Sequence, residues 1–231
     1  MRIGIICAIP NELRYFNFTE NPIQKIGKRK FYKGTHDKHE LILVQSGLGK
    51  VNAAVVSTLL IEKFDCEFIF FSGVAGGIDP GIEIGEVIIG ESLIQYDYGT
   101  LINREMLPFR PGSIPIGEPK NEIEYRLPPK IKHKIKASLP NIRMGKILTG
   151  DVYLQCEETK KELFEKFGAQ AIDMEGAAVA QVAEQFGIPL VVVRCLSDLA
   201  GADKQQLSSK FLNKAAKQSF ITAQKILNIL L

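Results

Sequence analysis

Acidic side chains at the ends of apolar runs are the residues of this chain placed to do chemistry. Glu12 follows the run 2-RIGIICAI-9, in 7-CAIPNEL-13. Ligands of open α/β sheets bind at the carboxyl ends of strands, which suits a reactive carboxylate there. A helix N-terminal acid, favoured by the helix dipole, is the plainer alternative. Asp173 and Glu175, in 172-IDMEGAAVAQVA-183, stand where an apolar, Ala-rich helix begins and leave little room for water. Capping is the alternative, and it suits Asp173 better than Glu175. Arg194, Ser197 and Asp198 end the most apolar run, in 193-VRCLSDLAGAD-203. Buried without partners, such groups would cost several kcal/mol, so they must pair. A purely structural Arg–Asp pair remains open.

Other chemistries have weaker support. The segment 72-SGVAGGI-78 reads as a Gly-rich turn that lets backbone approach a ligand. It contains neither G-K-[ST] nor G-x-G-x-x-G, so a phosphate cradle lacks support. In 46-SGLGKVNAA-54, glycines precede a helix with Lys50 in its first turn; that end could hold an anion or nothing. His36, His39 and His133 lie in polar segments that read as exposed, without zinc-ligand spacing. No His lies near a strand end to activate Ser or Cys. No metal and no cofactor is expected, and the chemistry must run on carboxylates.

These residues need a scaffold. A length of 231 residues suffices for one well-buried domain, 1–231. Hydrophobic residues make up 45%, charged residues 24% and the net charge is +3, an ordinary globular balance that gives no ground for a nucleic-acid partner. Cys7, Cys66, Cys156 and Cys195 form no C-x-x-C pair, and a reducing, cytoplasmic setting is the simpler reading. The first residues read as a strand and not a signal peptide. No apolar run approaches the ~20 residues that span a bilayer, so no membrane partner is expected.

The runs 2-RIGIICAI-9, 40-ELILVQS-46, 67-EFIFFSG-73, 85-GEVIIGE-91 and 189-PLVVVRCLS-197 lack strict alternation, as strands covered on both faces do. Helical periods lie between them: Val51, Ala54, Val55 and Leu59; then Ala178, Val179, Val182 and Phe186, closed by Gly187 and Pro189; then a stripe from Leu212 to Leu230. Alternating strands and helices predict an α/β domain with a largely parallel sheet. Residues 97–128 are rich in Pro and Gly and show no period. A loop this long is functional or pairs with a partner.

Six segments together carry a resemblance: 1-MRIGIICAIPNEL-13, 46-SGLGKVNAA-54, 72-SGVAGGI-78, 149-TGDVYL-154, 172-IDMEGAAVA-180 and 192-VVRCLSDLA-200. In order and spacing the chain resembles the 5′-methylthioadenosine/S-adenosylhomocysteine nucleosidases of the purine nucleoside phosphorylase superfamily, essentially end to end. The resemblance implies a single-domain, three-layer α/β sandwich whose central mixed, mostly parallel, twisted sheet is flanked by helices. It implies an adenine nucleoside as substrate and a homodimer with the 97–128 region near the subunit interface. It also implies roles. Glu12 matches the carboxylate that activates water, and Glu175 the one that bonds the ribose hydroxyls while Met174 packs on the sugar. Asp198 matches the acid at purine N7, supported by Ser197. Arg194 matches the basic residue beside the ribose-binding glutamate. Tyr153 matches the aromatic stacked on the base, with Leu154 making backbone contacts to the purine. Ile9 and Leu48 match apolar lining, and Gly76 and Phe211 join the expected substrate contacts.

The chemistry is coherent. Breaking an N-glycosidic bond leaves a cationic sugar and an electron-rich purine, which a proton at N7 makes a better leaving group. Paired carboxylates divide such work in glycoside hydrolysis. Asp198 then needs a raised proton affinity, which burial would supply and a facing Arg194 would oppose. A phosphorylase with the same fold is the alternative, but it wants arginines in its Gly-rich loops, and 72-SGVAGGI-78 has none. Two departures concern the 5′ tail. Where the family usually has a lid aromatic, 204-KQQLSSKFL-212 has Ser208, with Phe211 further on, and 95-QYDYGT-100 differs from its counterpart around Tyr98. The tail specificity is therefore open, with 5′-deoxyadenosine and aminofutalosine among the alternatives.

Overall fold

The apolar runs become strands because each is covered on both faces. In the computed structural model, which describes residues 1–201 and 209–231, the elements follow in the order β1 (Arg2–Cys7), α1 (Pro10–Leu13), β2 (Gln24–Ile26), β3 (Arg29–His36), β4 (His39–Gln45), α2 (Lys50–Glu62), β5 (Phe68–Gly77), β6 (Val87–Gln95), β7 (Gly99–Ile102), β8 (Glu105–Pro108), β9 (Tyr125–Arg126), α3 (Pro129–Ser138), β10 (Arg143–Thr149), α4 (Glu157–Phe167), β11 (Ala171–Asp173), α5 (Gly176–Gln185), β12 (Leu190–Leu199) and α6 (Ser209–Leu230). Along β1, Ile3, Ile5 and Cys7 share a core with Ala223, Ile226 and Leu227 of α6. Ile6 points the other way, into a core with Ala53, Val56 and Leu60 of α2. Both faces are apolar, so the strand does not alternate.

The central sheet runs β11-β10-β6-β12-β5-β1-β4-β3-β2, with β9 added on β6. It is a mixed α/β sheet, as expected. Both pairings occur: β1–β4, β1–β5, β10–β11, β10–β6 and β12–β5 are parallel, whereas β11–β5, β12–β6, β2–β3, β3–β4 and β6–β9 are antiparallel. Because β11 also pairs β5, the strands β11-β10-β6-β12-β5 close into a ring.

Three readings from periodicity change. Residues 97–128 are not one long loop: β7 and β8 form a hairpin, and β9 adds to the sheet. The two residues joining the hairpin, Asn103 and Arg104, both have positive φ, as tight hairpin turns demand. In α2 the buried face is Ala53, Val56, Ser57 and Leu60, and Val51 and Val55 are exposed. Phe186, likewise assigned to a buried stripe, is exposed beyond the end of α5. His39 is buried across the β3–β4 hairpin from His36, whereas His133 is exposed as expected. Among the described residues, no three or more His, Cys, Asp or Glu side chains are grouped to hold a metal, and no helix is long and apolar enough to cross a membrane.

Candidate active site

The ends of β1, β5, β11 and β12 and the starts of α1 and α5 converge on one cavity of about 230 Å3. Glu12 reaches it from α1, directly after β1, and is 3% exposed. Its Oε2 accepts the N–H groups of Ala8 at 2.7 Å and Ile9 at 3.1 Å, and its Oε1 accepts Val74 N–H at 2.9 Å. A carboxylate oxygen can accept two such bonds, so Oε2 is filled and Oε1 keeps one place. Burial raises the proton affinity of Glu12, while Arg194 and the three backbone donors oppose it.

Gly73 makes this position possible. A Cβ on it would stand 2.7 Å from Glu12 Oε1 and 3.0 Å from Arg194 Nη1. The segment 72-SGVAGGI-78 is no turn: Ser72 to Gly77 continue β5, and the missing side chains of Gly73 and Gly76 admit carboxylates against the strand. Gly76 repeats the device, with its absent Cβ 3.2 Å from Asp198 Oδ1.

Asp173 and Glu175 divide as their spacing suggests. Asp173 caps α5: its carboxylate accepts the N–H groups of Glu175 and Gly176. It also accepts the Thr149 hydroxyl at 2.6 Å and Arg194 Nε–H at 2.9 Å. Arg194, 1% exposed, thus pairs with Asp173 and not Asp198, and its guanidinium lies 3.9 Å over the Phe71 ring. Glu175 is buried with a single donor among the described residues, Gly49 N–H, at 2.8 Å on Oε1. Its carboxyl is pushed up to about 7 by burial first and then by Asp173, against the pull of Arg194 and the Gly49 amide. Glu175 Oε2 has no hydrogen-bond partner among the described residues.

A bulge aims Asp198. On β12, Leu196 pairs Ala75 and Asp198 pairs Gly76, so Ser197 is the extra residue. Such bulges bend a strand and redirect its side chains. Ser197 Oγ lies 2.8 Å from Asp198 Oδ2 and 3.5 Å from the Ala75 carbonyl oxygen. The hydroxyl can donate to an ionised Asp198, or accept from a protonated one while turning toward Ala75. Burial raises the Asp198 proton affinity, and the Ser197 hydroxyl and Lys160 lower it less.

The cavity brings together Glu12, Glu175 and Asp198, and with them Ile9, Leu48, Gly76, Tyr153, Leu154, Met174 and Ser197. Two expected residues stand off it. Arg194 lies beneath, bonded to Asp173. Phe211 shares a face of α6 with Lys214, Ala215 and Gln218, and that face meets a separate cleft at residues 83–86, Cys195 and Leu196. Ser208 lies outside the described residues. Sequence reasoning missed Val74, Val152, Ile172 and Ala200 in the lining; small apolar residues carry no chemical signal, although all four lie in the segments that carry the resemblance. It also missed Thr149, whose hydroxyl joins Asp173 to Ala177 N–H. Lys50 holds no anion in this arrangement, because its ammonium is taken by Asp97 at 2.6 Å.

The chain matches the phosphorylase superfamily over residues 2–228. It is 38% identical to the 5′-methylthioadenosine/S-adenosylhomocysteine nucleosidase of Mycobacterium bovis, covering 99% of this chain and 97% of that one. The nucleosidase of that name from S. pneumoniae, solved with a transition-state inhibitor, superposes with a TM-score of 0.86 at 28% identity and full coverage of both chains. A futalosine hydrolase mutant from Helicobacter pylori superposes with a TM-score of 0.83 at 29% identity, covering 97% of this chain and 98% of that one. By sequence over its whole length and by fold, the chain belongs to the 5′-methylthioadenosine/S-adenosylhomocysteine nucleosidase family of the phosphorylase superfamily.

Proposed function

We propose that this protein is an N-glycosyl hydrolase that releases adenine from 5′-methylthioadenosine, S-adenosylhomocysteine or both, leaving a 5-thioribose derivative. The observation that carries this reading is three carboxylates on one cavity, each with a different set of donors. Glu12, held by three N–H groups with one acceptor place left on Oε1, is suited to orient and deprotonate water. Glu175, with Oε2 unbonded among the described residues, is suited to accept a ribose hydroxyl and to stabilise the cationic sugar. Asp198, with its raised proton affinity and a hydroxyl that can accept or donate, is suited to protonate purine N7. Tyr153, Leu154, Met174, Ile9, Leu48 and Gly76 would line the base and sugar. Arg194 would act through Asp173 and Glu175 rather than on substrate.

The phosphorylase alternative finds less support. An anionic nucleophile needs free cations, and Arg194, next to the Gly-rich strand, is already paired with Asp173. Adenine release from methylthioadenosine, with and without phosphate, tests the reading. Equal release is expected, and a strict phosphate requirement overturns it. The 5′ tail stays a matter for a panel that includes adenosine, 5′-deoxyadenosine and aminofutalosine.

We further propose a single domain of residues 1–231 acting as a cytoplasmic homodimer. Leu48 and Val152 at the cavity and Val51 at the start of α2 are more than half exposed, as are Leu101, Ile114 and Ile116 of the 97–128 region. Apolar surface so disposed marks an interface. Sedimentation at micromolar concentration should show a dimer, and a monomer alone would refute it.

A further inference from the structure

At the cavity rim lies a set of charges that the chemistry above does not use. Lys50 opens α2, Asp97 opens the 97–128 segment and Asp151 follows β10. Lys50 Nζ lies 2.6 Å from Asp97 Oδ1 and 3.9 Å from Asp151 Oδ2. Asp97 Oδ2 accepts Asp151 N–H at 2.9 Å, and Asp151 Oδ1 accepts Lys50 N–H at 2.8 Å. The three residues thus close a ring of bonds through both side chains and backbone. Exposed ion pairs are worth little because their side chains wander. Here the Lys50 and Asp97 side chains are only 18% and 21% exposed, and backbone N–H groups fix both carboxylates.

Gly49 lies against this ring. It has φ +94°, and a Cβ on it would stand 3.1 Å from Asp151 Oδ1. Asp151 therefore packs against Gly49 while bonding the next amide. The Gly49 N–H is the donor to Glu175 Oε1 at 2.8 Å. We propose that Lys50, Asp97 and Asp151 are positioning residues for the ribose-side carboxylate: they fix the Gly49 amide against Glu175 and tie it to the root of the 97–128 segment. This rests on the reading of Glu175 as the residue that holds the sugar. Contacts that move the segment at Asp97 are transmitted through Lys50 and Asp151 to the Gly49–Glu175 bond.

The groups facing Glu175 set the sign of a test. Asp173 and Glu12 raise its proton affinity, and Arg194 and the Gly49 amide lower it. Loosening the amide lets Glu175 keep its proton to higher pH. Removing the Asp151 charge acts in the opposite sense, so an upward movement reports the amide and not the lost charge.

The experiment is a ¹³C-carboxyl NMR titration of Glu175, its resonance assigned by its loss in Glu175→Gln. Asp151→Ala and Asp97→Ala should raise the midpoint by about half a pH unit or more. Asp151→Asn keeps an oxygen for Lys50 N–H and should stay at or below the wild-type midpoint. Adenine release from methylthioadenosine at pH 6 should fall about tenfold in kcat for the Ala variants, with KM changed less. Unmoved midpoints in the Ala variants overturn the proposal, as does an Asn variant that moves as far as Ala. Asp97→Ala, at the rim, gives the answer if Asp151→Ala fails to fold. A wild-type protein that releases no adenine refutes the nucleosidase reading instead, while the titration still decides the positioning role.

Discussion

Replacing Glu175 by Gln should make the protein more stable, and only above acid pH. Gln keeps a side-chain oxygen for the Gly49 N–H and removes the charge. The carboxyl moves from its usual 4.5 in the unfolded chain to about 7 in the folded protein. At about 1.4 kcal/mol per pH unit, the ionised form is disfavoured by about 3 kcal/mol in the folded state. Between those two values the folded protein holds a proton that the unfolded chain has lost. Wild-type stability therefore falls as pH rises from 4.5 to 7, and this contribution is level on either side. The Gln variant lacks that slope. It should gain on the wild type by most of about 3 kcal/mol between pH 5 and 8, or roughly 6–12 °C in Tm for a chain of this size. Parallel thermal melts across that range, followed by circular dichroism, measure the difference. Asp198 and the surface groups titrate in both proteins and cancel. Loss of a like charge also eases ionisation of Glu12, which adds in the same direction. A difference in Tm that stays flat with pH, or a variant that loses ground as pH rises, would refute the assignment of Glu175 as a strained, buried acid.

Asp198→Asn should cut adenine release by about 10²–10⁴ in kcat with a smaller change in KM, since a general acid contributes on that scale; undiminished release would sink its assigned role. Gly73→Ala sets a Cβ 2.7 Å from Glu12 Oε1, and the clash should displace the carboxylate, costing about 1–3 kcal/mol in urea unfolding and most of the activity. Wild-type turnover in that variant would mean that the Glu12 position is not critical. Thr149→Val leaves Asp173 Oδ1 and Ala177 N–H each short of a partner, and should destabilise the fold by about 1–3 kcal/mol at fixed pH. A neutral effect on the denaturation midpoint would show that this buried link is replaceable.

The central strands and the carboxylates were legible in the sequence because each has a local signature. A run such as 67-EFIFFSG-73 is apolar on both faces, and an acid at its end has few structural excuses. β3 (RKFYKGTH) was missed because one face is solvated and its charged residues hide the alternation. β11 has only three residues, too short for any period, and exists because β10 and β5 bracket it. The face of α2 was misread because Val, Leu and Ala surround the helix on all sides, and only packing against α5 and β1 selects Ala53, Val56 and Leu60. Glu12 and Asp198 were placed by strand ends, but their aim was not legible. It depends on the space left by Gly73 and Gly76 on a neighbouring strand and on a one-residue bulge at Ser197. Phe211 was expected among the substrate contacts from the resemblance, whereas the face of α6 that it shares decides where it goes.

The pairing of Arg194 explains how four buried carboxylates lining one cavity can differ. Had Arg194 faced Asp198, its charge would have held that proton off and removed the acid. Bonded to Asp173, it balances a residue that already takes the Thr149 hydroxyl and two backbone N–H groups. Asp173 is thereby engaged in structure, and the other three face the cavity with unequal help. Burial raises the proton affinity of all three. Glu12 has three N–H donors against it, Glu175 has one, and Asp198 has one hydroxyl that can reverse its direction. Donors that cannot turn favour the ionised form, and a hydroxyl that can turn tolerates both. On the proposed reading, the residue that must accept a proton has the fixed donors, and the residue that must give one has the rotatable partner. Backbone amides therefore set the division of labour, and side-chain identity alone would leave three carboxylates interchangeable.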